Sequence, residues 1–282
     1  MASVPGNGVR ASIRLERDAG SGVEAIQASF AAHAYDMHRH DDWLIGVTDH
    51  GIQDFHCGGT RHRSIPGCVI LIEPQEAHDG QSGGPEGFAY SMLYLPPAWL
   101  RSALGDPRES GFASTLVEDH RLGAAIRHAT AILGQRSDRL SAEEALATVV
   151  ELSRPHLGCR TDPTTRFGTI ARRARERLHE AITEDIGEDA LARDAGAANR
   201  FHLARAFRAA YGTSPHAYLV QLRLLRARSM LAGGEPPAAV AAFCGFADQS
   251  HFGRWFRRAY GVTPAHYRWC CTGVPDKSRP VC

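Results

Sequence analysis

Four arginines stand in two matched pairs: Arg205 and Arg208, then Arg254 and Arg257, each 49 residues after its counterpart. A guanidinium is a planar fork of donors that can bond both acceptors of a guanine edge or two oxygens of a phosphate. A good base contact of this kind is worth about 1 to 3 kcal/mol of discrimination. Phe201, Arg205 and Arg208 fall at i, i+4 and i+7, as do Ser250, Arg254 and Arg257, so each set shares one side of a helix. Arg208 and Arg257 fit phosphate clamps as well as a merely solvated face.

The elements that must carry these arginines are themselves repeated. Asp189 to Tyr218 recurs without a gap as Ala238 to Tyr267. The identities include Gly196/Gly245, His202/His251, Phe207/Phe256, Tyr211/Tyr260, Gly212/Gly261, Pro215/Pro264 and Tyr218/Tyr267. Such a tandem repeat is one small unit used twice. In each copy a short apolar helix closes at the glycine, which permits a left-handed turn. Asn199 or Asp248 follows three residues later and caps a new helix. Leu203, Phe207 and Ala210 line one side of that second helix, matched by Phe252, Phe256 and Ala259, and face the core. Helix, tight turn, helix is the arrangement that places a reading helix in a major groove. His202 and His251 point sideways, toward packing or backbone contacts. Phe201, on the polar side, fits a thymine methyl or a domain contact. Between the copies, Pro215 to Ala232 reads as one helix with Leu219, Leu222, Leu225 and Met230 inward, stopped by Gly233-Gly234. Its length of about 27 Å could hold two reading heads nearly one duplex turn of about 34 Å apart.

At 282 residues with 43% hydrophobic content, the chain can build two cored domains. Net charge is +1, but unevenly spread. From Thr169 to Cys270 there are 15 Arg against 9 Asp plus Glu, and the single Lys of the chain is Lys277. An arginine-rich half beside an acidic half points to an anion-binding module joined to something with another task. The seven cysteines form no Cys-x-x-Cys pair and read as free thiols. No apolar run reaches the roughly 20 residues of a membrane span and the first residues lack a signal peptide, so a cytoplasmic location and no membrane partner are expected.

The first half has a different rhythm. From Val23 to about Tyr94, short apolar runs alternate with Gly, Pro and His, which predicts an antiparallel sandwich or barrel. From Asp119 the period becomes helical: Leu122, Ala125, Ile126, Ala129, Ile132 and Leu133 mark one helix, and Ser141-Ala142-Glu143-Glu144 opens another. These features divide the chain into a domain over 1–153, a linker over 154–166, a helical domain over 167–270 and a tail over 271–282.

The doubled unit resembles the AraC/XylS family of bacterial transcription regulators over roughly residues 167 to 270. The resemblance rests on Ala204-Arg205-Ala206-Phe207-Arg208, Tyr211-Gly212-Thr213-Ser214-Pro215, Leu222-Arg223-Leu224 with Arg226-Ala227-Arg228, and Gly245-Phe246-Ala247-Asp248-Gln249-Ser250-His251-Phe252. It implies an α+β chain of two domains: a cupin-like β-barrel with dimerisation helices, then two helix-turn-helix units joined by a long helix. It implies double-stranded DNA as partner, RNA polymerase beside it, a homodimer, and control by a small-molecule effector, with activation the expected sign. The base-reading positions it implies are Phe201, Ala204 and Arg205, then Gln249, Ser250, Gly253 and Arg254; Asn199, Arg208 and Arg257 complete the expected DNA contacts. Ala204 and Gly253 offer no polar group, so specificity leans on the two arginines and Gln249.

His38-Arg39-His40, then Gly67 and Pro74-Gln75-Glu76-Ala77-His78, resemble the two halves of a cupin barrel signature. Three imidazoles from neighbouring strands would suit zinc, iron or nickel. The carboxylate of metal-holding cupins is missing, however, because Trp43-Leu44-Ile45-Gly46 follows Asp42. The reading is therefore polar contacts to an organic effector, or pure barrel packing, with His38, His40, Trp43 and His78 as the candidate lining residues and with no metal, no cofactor and no catalysis expected. The competing classes are a metal-dependent cupin enzyme with a helical appendage and a non-specific DNA-binding protein.

Overall fold

A computed structural model describes residues 12–105, 111–135, 139–158, 168–184 and 186–273. The chain divides into two compact units near residue 160.

The first unit is built on two antiparallel sheets. Strands β1 (Ser12–Arg17), β2 (Glu24–Phe30), β4 (Trp43–Gly51), β7 (Cys68–Ile72), β9 (Phe88–Leu95) and β11 (Leu116–Glu118) form a six-stranded sheet in the order β1-β2-β9-β4-β7-β11. Strands β3 (His33–His38), β5 (Gln53–Cys57), β6 (Thr60–Ser64) and β8 (His78–Ser82) form the other, ordered β3-β8-β5-β6. The buried Thr48 and Ser64 hydroxyls, 2.6 Å apart, join the two.

Strand alternation sorts the large sheet's side chains between its faces. Ile45, Val47, Val69, Leu71, Leu93 and Leu95 lie in a core with helix α2 (His120–Gly134) and helix α3 (Arg139–Ser153). The alternate residues Leu44, Ile70, Ile72, Tyr90, Met92 and Tyr94 line the space between the sheets. Gly46 sits opposite Met92, and a Cβ there would come within 2.4 Å of the Met92 sulfur. Asp119 caps α2 by accepting from the Leu122 amide at 2.9 Å. Helix α3 begins at Arg139, so the Ser141 expected to open it lies within its first turn. Helix α1 (Pro97–Leu104) completes this unit's helices among the described residues.

The expected linker begins too early. Arg154–His156 form a 3-10 turn, and β12 (Leu157–Gly158) pairs with β10 (Gly111–Phe112), so these residues belong to the first unit. Residues 159–167, the rest of that segment, lie outside the described ones.

The second unit is helical: α4 (Thr169–Glu180), α5 (Glu188–Ala195), α6 (Arg200–Tyr211), α7 (Pro215–Ala232), α8 (Pro237–Phe243), α9 (Gln249–Tyr260) and α10 (Pro264–Thr272). The helices α8, α9 and α10 start 49 residues after α5, α6 and α7, so the sequence repeat is a repeat of three helices. Its turns match: Gly196 and Gly245 have φ of 75° and 76°, a region that favours glycine. Ser214 and Thr263 both cap the third helix of their copy. Leu203 and Phe207 are buried in the first copy, Phe252, Phe256 and Ala259 in the second. Helix α7 serves both copies. Besides Leu219, Leu222 and Leu225, it buries Leu224, Ala227 and Leu231, whereas Met230 is half-buried. The expected tail begins two residues too early: Cys271 and Thr272 end α10, and 274–282 lie outside the described residues.

Candidate nucleic-acid interface and effector site

Helices α6 and α9 present the arginines. Asn199 caps α6 by accepting from the His202 amide at 2.9 Å, and Asp248 caps α9 by accepting from the His251 amide at 2.6 Å. The latter bond, with smaller contributions from the Ser250 amide and Arg254, holds the Asp248 carboxyl below its usual range. Asn199 thus spends its side-chain oxygen on the helix. His202 accepts from the Ala198 amide at 3.3 Å, and His251 accepts from the Trp255 indole at 2.9 Å, so both imidazoles are local braces.

Beyond the caps the outer faces are open. Phe201, Arg205 and Arg208 are exposed on α6, with Ala204 half-buried; Gln249, Ser250, Arg254 and Arg257 are exposed on α9. The Arg200 guanidinium lies 5.1 Å from the centre of the Phe201 ring, which is 67% exposed. A Cβ added at Gly253 would meet nothing within 4 Å.

Several other arginines of this unit are engaged within it. Arg172 pairs with Glu176, and Arg177 with Glu184 and Asp194. Arg175 donates to the Tyr218 hydroxyl at 3.1 Å, and Arg223 donates to the carbonyls of Ile182 and Glu184. Arg205, Arg208, Arg254 and Arg257 form no salt bridge among the described residues. Four unpaired guanidinia on matched helix faces make a surface that attracts anions.

In the first unit the three histidines converge. Their ring centres lie 4.8 Å apart for His38 and His40, 4.5 Å for His38 and His78, and 5.3 Å for His40 and His78. All three are buried, and one ring nitrogen from each falls within 4.8 Å of the others. The His38 Nδ1 donates to the Asp36 carbonyl at 2.7 Å and the His78 Nδ1 to the Glu76 carbonyl at 3.0 Å. Burial above all, with a smaller contribution from Arg39 and against the opposing Glu76 carbonyl and Asp79, lowers the His78 pKa to about 4. His78 is therefore neutral at pH 7. Burial also raises the Glu76 carboxyl, against opposing contributions from Cys57, His62 and Arg39.

Two residues that the sequence reading passed over fasten the halves of this cluster. The Gln75 amide donates to the His40 carbonyl at 2.7 Å, and the Arg39 guanidinium donates to the Gln75 carbonyl. Gln75 has φ of 65°, a left-handed conformation for a residue with a side chain. Its place in Pro74-Gln75-Glu76 hinted at a turn but not at this tie.

Trp43 does not join the histidines. It faces the helices of the first unit and meets the Phe112 ring edge-on at 5.0 Å. Strand parity decides this: Leu44 points between the sheets, so Trp43 points away.

The space between the sheets is nearly filled. Tyr35 and Tyr90 are hydrogen-bonded through their hydroxyls, and burial pushes both phenols well above their ordinary pKa. A cavity of about 20 Å³ remains, lined by Tyr35, His38, Gln53, His78, Tyr90 and Met92 among others. A larger cleft of about 320 Å³ lies outside the sheets, between α1 and α3, with Trp99, Leu146 and Val150 on its walls.

Residues 20–150 match the AraC-like ligand binding domain, and residues 191–269 match a helix-turn-helix domain. The chain belongs to the AraC-type regulators. It is a helix-turn-helix DNA-binding regulator of transcription with an N-terminal ligand-binding domain. The uncharacterized HTH-type transcriptional regulator YbfI of Bacillus subtilis is 24% identical over 237 residues, covering 80% of this chain and 84% of that protein. Among solved structures, an apo ToxT variant from Vibrio cholerae superposes with a TM-score of 0.54 at 15% identity, covering 91% of this chain and 100% of that one. ToxT bound to an unsaturated fatty acid gives 0.51 at 14% identity, covering 96% and 98%. These two show a shared fold for this AraC-type chain. No described helix is long and apolar enough to cross a membrane.

Proposed function

We propose that this AraC-type regulator binds a specific operator through α6 and α9, and that an effector bound in the first domain alters this binding. The observation that carries the reading is the set of unpaired arginines at matched positions of two capped helices. Arg205 and Arg254 are assigned to base edges, Arg208 and Arg257 to phosphates. Phe201, Ala204, Gln249, Ser250 and Gly253 supply the remaining surface, and Asn199 contributes chiefly by fixing the start of α6. The first domain is taken to end at Gly158 and the DNA-binding domain at Thr272. Activation through RNA polymerase, a homodimer joined through α2 and α3, a cytoplasmic location and the absence of catalysis complete the proposal. The unsaturated fatty acid bound by ToxT is a precedent for a ligand in this fold.

Selection of bound sequences from a random DNA pool tests the base-reading role. Arg205→Ala and Arg254→Ala are each expected to weaken binding by about 1 to 3 kcal/mol and to relax the preferred sequence at different positions. Equal weakening on every sequence, with the preference unchanged, sinks it.

A further inference from the structure

The domain that should take an effector has almost no room between its sheets. Small-molecule pockets usually hold about 300 to 1,000 Å³. The cavity beside His38 and His78 is about 20 Å³, room for about one water, whereas the cleft between α1 and α3 holds about 320 Å³. An organic ligand would have to displace buried rings to enter the first and would fit the second without doing so.

Three elements wall the cleft. On α1, Trp99 and Ala103 stand one turn apart; on α3, Leu146 and Val150 do the same; the turn between β1 and β2 adds Asp18 and Ser21. Leu146 and Val150 are buried members of the core, and Trp99 packs against that core while half-buried, so the apolar floor is fixed from behind. Arg154 ties the two helical walls, donating to the Leu104 carbonyl at the end of α1 at 3.1 Å and to Glu151 on α3 at 2.9 Å. Ala103 and Ala147 are exposed lining residues, and neither reaches beyond its Cβ into the space.

The charges around this floor select the ligand. Asp18, Glu143 and Glu151 line the cleft against one guanidinium, that of Arg139. Arg139 donates to Glu143 at 2.7 Å, and Glu151 takes Arg154. Asp18 is bonded by neutral groups, accepting from the Ser21 amide and hydroxyl at 2.6 Å each, and Arg139 acts on it only at longer range. An indole beside an acidic rim suits a cation with an apolar body, because the ring attracts positive charge and the carboxylate holds it. An anion would meet like charge.

We propose that the effector of the first domain binds in the α1–α3 cleft, and that it is an organic cation: an amine carrying a ring-sized apolar body, set on Trp99 with its charge toward Asp18. The inference rests on the reading that this domain takes an effector. A ligand touching α1, α3 and the β1–β2 turn at once favours whichever spacing of the three it fits better.

The full-length protein is titrated calorimetrically with tryptamine, with benzyltrimethylammonium and with indole-3-acetate, which shares tryptamine's rings and carries the opposite charge. The expected result is saturable binding of both cations at about one per chain, with indole-3-acetate weaker by about tenfold or more. Asp18→Asn should weaken the cations about fivefold and Trp99→Ala about tenfold. Ala103→Leu and Ala147→Leu should abolish binding by filling the space, and Glu144→Gln, which removes a charge from α3 outside the cleft, should leave it unchanged. The two leucine variants change exposed positions, so they stand as evidence even where Trp99→Ala fails to fold. No saturable binding of either cation overturns the proposal, as does equal binding of tryptamine and indole-3-acetate or binding undisturbed by both leucine variants. A dimer in solution that Ala147→Leu breaks, with no amine bound, also overturns it and gives the cleft to a second copy. Binding to DNA selected from a random pool is then measured with and without saturating tryptamine. A shift of about tenfold supports the regulatory role, and identical affinity overturns it. The ligand-free protein's preference for selected over random DNA is scored separately, so failure of the cleft is distinguishable from failure of the DNA-reading proposal.

Discussion

A buried neutral imidazole links the histidine cluster to acid. The His78 pKa is about 4 in the folded chain, below the ordinary value of 6.5, so between those values the unfolded chain binds more protons. The contribution is fully present above pH 6.5 and falls away toward pH 4, on the order of 3 kcal/mol in all. Urea midpoints measured from pH 7.5 down to pH 4.5 are expected to fall, and to fall less in His78→Gln. Gln75 offers a second check, because its φ of 65° excludes a β-branched side chain. Gln75→Val is expected to cost about 1 to 3 kcal/mol and Gln75→Asn much less, measured by the same denaturation.

At the level of elements, Gly46 lets β4 run past Met92. Gly46→Ala is expected to cost about 1 to 3 kcal/mol, and markedly less when Met92→Ala makes room, which a double-mutant cycle in urea will show. Helices α2 and α3 and the repeated units with α7 between them were legible in the sequence, whereas α1 and α4 were not singled out. The bounds of α7 are those that Pro215 and Gly233 announce, and the caps at Asn199 and Asp248 are in place. Local chemistry sets such boundaries, so a local reading finds them. What escaped depended on partners far along the chain. Leu157 and Gly158 belong to the first unit because they pair with Phe112 and Gly111, residues more than forty positions earlier. Leu224 and Leu231 are buried because α7 is packed on more than one side, which a single apolar stripe does not reveal. The site showed the same division. The two histidine segments could be named from their residues, but the displacement of Trp43 needed the strand's parity, and the Gln75 tie needed the fold.

For the molecule as a whole, the net charge of +1 conceals an arginine-rich DNA-binding half. Electrostatic attraction to DNA should therefore be strong and salt-dependent despite near neutrality. The logarithm of affinity is expected to fall linearly with the logarithm of salt concentration. Arg208→Ala and Arg257→Ala should each reduce the slope by about 1. Fluorescence anisotropy on one selected DNA fragment at several salt concentrations measures this. An unchanged slope in both variants would return these arginines to the solvated surface.

The open space over Gly253 carries a consequence for how such a regulator changes targets. A glycine inside a helix costs about 0.5 to 1 kcal/mol relative to alanine, so replacing it here relieves a local weakness. A Cβ added here meets nothing within 4 Å, and the position belongs to only one of the two heads. A single substitution could therefore steady α9 and give the second half-site a new preference, leaving the first half-site to keep its old grip while the promoter repertoire drifts.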